Sequence, residues 1–403
     1  MRNLLFLTQR IPYPPIKGEK IRPLQILRHL RRSYDVHLGC LVDDPDDEQH
    51  IDTVAALCTT SHFARLDRRR AKLTCLAGLL TGDPLSVTFY QDRGLAAWVK
   101  RTLAEIQPAA IFVCSSNMAP YVLGNTRGAT VTLCDLADVD SEKWRAYSET
   151  GSGRMKLVHR REWHRVAALE GRIAREMDWS TFVSAEEAAL FRKQRPQEAE
   201  KIRSVPSGVD FAYFDPAIPQ PAVYPTDRLN YVFTGTMDYP PNVDAVRWFA
   251  TEILPIVQRS RPAHFHIVGS SPAAEVRALT NEHVTVTGRV PDVRPYVAHA
   301  TAAVAPMRIA RGIQNKVLEA MAMGRPVIVT PDALEGIDAR PGVELLLGDG
   351  AEALAARCLE AAEPQAAAIG AAARLLVERD YSWAGRLLGF DALLGKASAA
   401  RQP

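Results

Sequence analysis

Short apolar runs of strand length alternate along the chain with longer segments whose apolar positions recur every three to four residues. "NLLFLTQ" (3–9), "DVHLGCLV" (35–42), "AAIFVCSS" (109–116), "ATVTLCDL" (129–136) and "WSTFVSA" (179–185) are nearly continuous apolar runs, as expected of strands buried on both faces. Between the first two lie the loop "RIPYPPIKGEK" and the amphipathic helix "IRPLQILRHLRR". A second series follows: "LNYVFTGT" (229–236), a helix through "VDAVRWFATEILPIV", "AHFHIVGS" (263–270), "HVTVTGRV" (283–290), "TAAVAPM" (301–307), "PVIVT" (326–330) and "GVELLLGDG" (342–350). Strands alternating with helices predict an α/β chain of parallel, doubly wound sheets. The intervening stretch 205–228 is rich in proline without helical periodicity and reads as a linker. The chain therefore divides into an N-terminal domain (1–204), the linker (205–228), a C-terminal domain (229–378) and a final amphipathic segment (379–403). Two such domains facing each other would bind ligands beyond the carboxyl ends of their strands.

The stretch "RGIQNKVLEAMAMGRPVIVT" (311–330) carries the sharpest chemical signal. Lys316 and Glu319 share one face of an otherwise apolar helix. Val317, Leu318 and Met321 can face a core, and Gly324 and Pro326 stop the helix. A helix N-terminus offers unpaired N–H donors and a partial positive charge, which suits phosphate. Gly312, Ile313, Gln314 and Asn315 are the candidate donors, and Lys316 adds a full charge. Charge-assisted hydrogen bonds contribute about 1.5–3 kcal/mol each, so two or three would hold a diphosphate without a metal. Glu319, one turn deeper, suits a vicinal diol such as ribose. The plain alternative is a solvated Lys–Glu pair contributing a few tenths of a kcal/mol. Glycines also recur at strand-to-helix corners, at Gly18, Gly235, Gly269, Gly288 and Gly312; together they favour a ligand cleft, although each alone would be an ordinary turn.

Composition narrows the function classes. The chain has 403 residues, 47% hydrophobic and 24% charged, with a formal net charge of +3. That is ordinary globular material, and its near balance of charge argues against nucleic acid as a partner. The six cysteines are scattered without a C-x-x-C pair, which predicts neither zinc nor a disulfide scaffold. The first residues contain too short an apolar run for a signal peptide, and no run is long enough to cross a bilayer. A soluble cytoplasmic protein is expected.

Four pieces of the second half, "VPSGVDFAYF", "FTGTMDYPPNVDAVRWF", "HVTVTGRVPDVRPYVAHATAAVAPM" and "GIQNKVLEAMAMGRPVIVT", together resemble the nucleotide-binding domain of GT-B glycosyltransferases of the family 4-like group, the glycosyl transferases group 1. In the first half, "FLTQRIPYPPIKGEKIRPLQILRHL" and "CDLADVDSEKW" resemble the sugar transferases associated with exosortase (PEP-CTERM) exopolysaccharide loci. The resemblance implies two Rossmann-like domains with a C-terminal helix, "YSWAGRLLGFDALLG", crossing back to the first. It implies a nucleotide-sugar donor on the C-terminal domain and an acceptor on the N-terminal one. Glu319 matches the ribose-binding glutamate and Lys316 a diphosphate-binding base. Gly288, Arg289 and Val290 match the loop beside the nucleobase, Gly235 and Thr236 the end of the "F-x-G" strand, and Gly18 and Lys20 the glycine-rich corner after the first strand.

Two positions depart from the family pattern. Arg311 stands where a further glutamate is common, and Thr236 where an arginine usually follows the "F-x-G" strand. Arg308 and Arg311 are read as substitutes for the missing charge.

The "DVD" at Asp138 to Asp140 resembles the metal site of the other glycosyltransferase fold, but that fold has a single domain and no basic helix terminus, so no metal or other cofactor is expected here. Asp138 and Asp140 are candidate catalytic carboxylates that orient or deprotonate an acceptor hydroxyl, with Asp135, Lys143 and Trp144 as acceptor-binding residues. An equally plain reading makes Asp140 or Ser141 a helix N-cap. "RLDRRRAKLTCLAGLL" (65–80) and "RMKLVHRREWHRVAALEGRIARE" (154–176) set basic residues beside apolar ones, Trp163 among them. That suits an anionic membrane surface, at the inner face of the plasma membrane, as well as it suits a solvated helix face. The expected activity is hexosyl transfer, with retention of configuration, to a saccharide or polyprenol-linked acceptor in exopolysaccharide or cell-surface glycan assembly. The rivals are a nucleotide-sugar epimerase on the same scaffold and a non-catalytic nucleotide-sugar-binding protein.

Overall fold

The computed structural model describes residues 1–15, 18–75, 78–125, 130–150, 153–310 and 313–399. It resolves into two compact units, Met1–Ser207 with Leu387–Pro403, and Gly208–Arg386.

The first unit is built on a seven-stranded sheet: β1 (Arg2–Thr8), β2 (Tyr34–Val42), β3 (Thr60–Arg65), β4 (Ala110–Cys114), β5 (Val131–Ala137), β6 (Trp179–Phe182) and β7 (Ile202–Ser204), in the order β3-β2-β1-β4-β5-β6-β7. Every pairing is parallel. The apolar runs lie at its centre: Leu4, Leu5, Phe6 and Leu7 of β1 are fully buried, as are Ile111, Phe112 and Val113 of β4. The strand order reverses between β1 and β4, which makes the carboxyl ends of these two strands the ligand-binding crevice expected of such a sheet.

The second unit holds six parallel strands: β8 (Leu229–Thr234), β9 (Ala263–Val268), β10 (Val284–Gly288), β11 (Ala302–Ala305), β12 (Val327–Val329) and β13 (Leu346–Leu347), in the order β10-β9-β8-β11-β12-β13. Its reversal falls between β8 and β11. The predicted helix through "VDAVRWFATEILPIV" is interrupted. It begins as Pro240–Trp248, then one turn widens so that the Leu254 N–H reaches the Phe249 carbonyl, and it ends as Leu254–Gln258. Pro255 is the reason, because it has no N–H to continue the ordinary ladder.

The segment read as a linker, 205–228, is packed. Val205 N donates to Phe182 O (2.8 Å) in the first unit, whereas Val209, Phe214 and Tyr224 belong to the core of the second. The backbones at Gly208 and Trp383 cross so closely that a Cβ on Gly208 would lie 2.5 Å from the Trp383 nitrogen. The C-terminal helix Trp383–Ala399 starts in the second unit, and from Leu387 onward it packs on the first. Phe390 meets Phe112 edge-on at 4.9 Å, Arg22 lies 5.5 Å from its ring, and Trp179 Nε1 donates to Leu393 O (3.1 Å). The change of unit falls at 386/387 rather than at 379, since the helix's first turn still packs where residues 208 and 209 cross it.

Candidate active site

In the second unit, the helices α1 (Pro240–Trp248) and α2 (Asn315–Ala322) bring the predicted donor residues together. Val317, Leu318 and Met321 anchor α2 in the core, which leaves Lys316 and Glu319 on its other side. Lys316 Nζ donates to Asn242 Oδ1 and to Gln314 Oε1, both at 3.2 Å, and lies 5.0 Å from the Phe233 ring centroid. Asn242, itself buried, donates from Nδ2 to Thr236 O (2.9 Å). One network thus joins the end of β8, the first turn of α1 and the first turn of α2. Among the described residues no carboxylate forms an ion pair with Lys316. Burial lowers its pKa to about 8, opposed by the charge of Glu319. Burial likewise raises Glu319 to about 7, opposed by Lys316, and no hydrogen bond to its carboxylate is formed among the described residues. A cation and a carboxylate are therefore held in a poorly solvated place with neutral or no partners, an arrangement that an anionic, hydroxyl-bearing ligand would complete.

Gln314 occupies the N-cap position with an extended backbone and gives its side chain to Lys316 rather than to the helix N–H groups. The first bond into α2 is Val317 N to Gln314 O (3.0 Å), so the amides of Asn315 and Lys316 precede the ladder. Asn315 is exposed and Ile313 packs against the core. Arg311 and Gly312 lie outside the described residues.

The glycines at the carboxyl ends of β8, β9 and β10 are neighbours. Gly269 N donates to Gly288 O (3.2 Å), and a Cβ on Gly269 would sit 1.6 Å from Gly235 O. That contact gives a reason for glycine at 269 without a ligand: two backbone turns touch. Gly288 differs, with φ +66 and open space where a Cβ would be. Arg289 beyond it is exposed and Val290 is half-buried. Arg308 is not the free charge expected of it. It grips Asp244 of α1 with two bonds (2.9 and 2.5 Å), lies 4.9 Å from the Trp248 ring and lowers the Asp244 pKa.

The first unit corrects two further expectations. Lys20 is buried and donates to both oxygens of Asp47 (2.7 and 2.6 Å), so its charge is already matched. Gly18, two residues earlier, is exposed. Asp135 is likewise buried, held by Arg22 through two bonds (2.7 and 2.9 Å) and by Thr181 Oγ1 (2.7 Å). Both charges are thus matched within the protein.

Asp138 and Asp140 do reach the surface, where Lys143 Nζ bridges them at 2.9 and 3.0 Å. Despite a desolvation cost, Asp140 and Asp138 raise the Lys143 pKa. The turn that carries them is fixed from below by Glu187, which accepts from Val139 N (2.7 Å), and by buried Glu170, which accepts from Ser141 N (3.0 Å). Burial pushes Glu170 up to about 7. Trp144 is half-buried beside Tyr147 and His159, with centroids 6.0 and 5.8 Å away.

Sequence reasoning missed the polar groups at the β1/β4 reversal. Gln9 Oε1 accepts from Ser115 Oγ (2.8 Å) and Asn117 Nδ2 (3.1 Å). Ser115 has φ 76 and ψ 149, a region in which only glycine is at ease. Ser116 Oγ reaches Asp140 Oδ2 at 3.5 Å, which links this cluster to the Asp138–Asp140 turn. The only signal was that "TQR" and "SSN" put polar residues directly after apolar strands.

With this geometry described, the similarities to known proteins can be read. Residues 228–363 match the family model described as Glycosyl transferases group 1. That stretch is a Glycosyl transferases group 1 domain, and the chain has the GT-B fold. Its structure is similar to a sucrose-phosphate synthase from Thermosynechococcus elongatus, with TM-score 0.68 and 17% identity over 99% of this chain and 100% of that one. It is also similar to the Anabaena protein HepE in complex with UDP-glucose, with TM-score 0.64 and 14% identity over 98% and 100% of the two chains. The α,α-trehalose 6-phosphate synthase from Burkholderia multivorans gives TM-score 0.63 and 13% identity, with 100% of both chains covered. No curated protein sequence matches the chain significantly. The match runs through the second unit from the start of β8 to beyond β13, and so contains α1, α2 and the Lys316 network.

Proposed function

We propose that the protein transfers a hexose from a nucleoside-diphosphate sugar to a hydroxyl of a saccharide or lipid-linked acceptor. The observation that carries this reading is Lys316, a poorly solvated cation at a helix N-terminus whose partners are two neutral side-chain oxygens. A diphosphate supplies the missing negative charge. Lys316 and the amides of Asn315 and Lys316 then stabilise the charge that builds on the leaving diphosphate as the glycosidic bond breaks. No metal is needed in this scheme. Glu319, ionised, accepts hydrogen bonds from the ribose hydroxyls.

The acceptor binds in the first unit, at the carboxyl ends of β1, β4 and β5. Gln9, Ser115 and Asn117 orient its hydroxyls, and Asp138 or Asp140 takes the proton as the new bond forms. Lys143 bridges both carboxylates and sets their direction. We place the reaction in cell-surface glycan assembly on the cytoplasmic side of the membrane, with retention of configuration. The HepE complex, which holds UDP-glucose, makes UDP-hexoses the first donors to try.

The test is release of the nucleoside diphosphate from UDP-, GDP-, ADP- and dTDP-sugars, with and without saccharide and glycolipid acceptors. The reading expects one donor to be consumed faster when an acceptor is present, with the sugar recovered on that acceptor. A new sugar nucleotide formed from donor alone would replace it with epimerisation. Binding without any turnover would leave a non-catalytic role.

A further inference from the structure

One helix of the first unit turns its apolar side chain away from the protein. The helix α3 (Arg68–Cys75) buries only Ala71, which is 5% exposed, whereas Leu73 is 71% exposed. Two residues correspond to roughly 200° of helical rotation, so Leu73 points nearly opposite to the residue that anchors the helix. Arg69 and Arg70, four and three positions before Leu73, flank it on the outer face. Asp67 caps the helix, accepting from Arg69 N (2.9 Å) and Arg70 N (3.3 Å), and lies 3.5 Å from Arg70 Nε, while Asp43 lies 3.9 Å from Arg68 Nε. A helix this short is not stable in water by its own propensity, and a single alanine is a small anchor.

A second element repeats the pattern. The helix α4 (Gly153–Glu176) packs through Val166, Ile173 and Ala174, but its start exposes Leu157 (70%) and Met155 (56%) beside Lys156 and Arg160. Arg161, one turn beyond Leu157 on the same helical face, donates to Gly78 O (2.5 Å) and Asp83 O (3.1 Å). That bond ties the segment following α3, with exposed Leu79, to this part of α4. Among the described residues Arg69, Lys72, Lys156 and Arg160 form no ion pair. Trp163, the aromatic that the sequence offered as an interfacial residue, is half-buried and stacked on His164 at 4.5 Å; the exposed leucines take its place.

From this geometry we infer that the surface formed by α3 and the start of α4 docks on an anionic phospholipid leaflet. Leu73 and Leu157 enter the boundary between headgroups and acyl chains, and the surrounding arginines and lysines meet the lipid phosphates. A nucleic-acid partner would satisfy the cations but leave two leucines against a charged backbone. An apolar protein partner would bury the leucines but not the unpaired cations. The inference stands apart from the donor site, so either can fail without the other.

The full-length protein is sedimented with vesicles of phosphatidylcholine alone, and of phosphatidylcholine mixed with phosphatidylglycerol, at low and high salt. It should pellet with the anionic vesicles and be released by salt, which screens exposed charges. Leu73→Asp/Leu157→Asp should weaken partitioning roughly tenfold or more, as expected when buried leucines are lost. Arg69→Ala/Arg70→Ala should weaken it by a smaller factor and flatten the salt dependence. Both variants change exposed positions, and their melting curves and nucleotide binding should match those of the parent. Equal pelleting with neutral and anionic vesicles, unchanged pelleting of the leucine variant, or displacement from vesicles by an RNA oligonucleotide would each overturn the inference.

Discussion

Lys316 Nζ and Asn242 Oδ1 lie 3.2 Å apart, and this bond holds the cation of one helix against the first turn of another. The other end of the same amide donates to Thr236 O, so Asn242 aims Lys316 and fixes the end of β8 at once. Asn242→Ala should weaken nucleotide-sugar binding about fivefold, the effect of one net hydrogen bond. Asn242→Asp is the more informative change. It gives Lys316 a carboxylate of its own at the expense of the bond to Thr236 O, so it should cost roughly tenfold or more in donor affinity. Calorimetric titration with the donor checks both.

The two perturbed groups predict a bell-shaped dependence of donor affinity on pH. Lys316 must be protonated to hold a diphosphate, and burial lowers its pKa to about 8; affinity falls as pH rises through that value. Glu319 must be ionised to accept from ribose, and burial raises its pKa to about 7; affinity falls as pH drops through that value. Lys316→Arg should remove the alkaline limb, and Glu319→Gln should remove the acid limb along with much of the affinity. Titrations across this range read both limbs.

Glu319 should also show a conflict between stability and function. Its pKa in the folded protein, about 7, lies above the 4.5 of an ordinary glutamate. The stability it contributes is therefore complete below about 4.5 and is lost as pH rises through about 7. Glu319→Gln should be more stable than the parent at pH 8, by up to roughly 3 kcal/mol, and should melt at a higher temperature. The difference should vanish near pH 4. Scanning calorimetry at the two pH values tests this without any ligand.

At the crevice of the first unit, Ser115 occupies a backbone region that disfavours a side chain. Ser115→Gly should relieve roughly 1 kcal/mol of strain and raise the melting temperature. The same change removes the bond to Gln9, so acceptor KM should rise while donor KM stays put. If acceptor KM did not change, Ser115 would be a matter of folding alone.

Asp135 provides the contrasting case. With its carboxylate paired to Arg22 inside the protein, Asp135→Ala leaves a buried guanidinium uncompensated, at a cost of about 3–5 kcal/mol. The variant should therefore lose stability severely rather than show a selective acceptor defect. Denaturant melts, set beside nucleotide binding by the folded fraction, separate the two outcomes.

How much the sequence revealed depended on contrast. Central parallel strands such as Arg2–Thr8 and Ala110–Cys114 are buried on both faces and read as unbroken apolar runs. The strands left unread, Thr60–Arg65 and Ile202–Ser204, are the two edges of their sheet, where one side meets no neighbour and polar residues intrude. The same contrast made Lys316 and Glu319 conspicuous in an apolar helix. It misled at Lys20 and Asp135, because a charge does not announce its partner: Asp47 lies 27 residues from Lys20, and Arg22 lies 113 from Asp135. Asn242, Gln9, Ser115 and Asn117 went unnoticed because neutral polar side chains stand out neither by charge nor by period. Only the fold shows that they converge.

The central claim is that the start of α2 binds a diphosphate through Lys316, with Glu319 behind it on the ribose. Its most direct test is a calorimetric titration of UDP into the wild-type protein, Lys316→Ala and Glu319→Ala at pH 7.5, with GDP, ADP and dTDP as alternatives. The account predicts saturable binding of one nucleotide by the wild type and a loss of at least tenfold in each variant, both of which remain folded. Equal affinity in all three proteins, or no binding of any nucleoside diphosphate to the wild type, would contradict it.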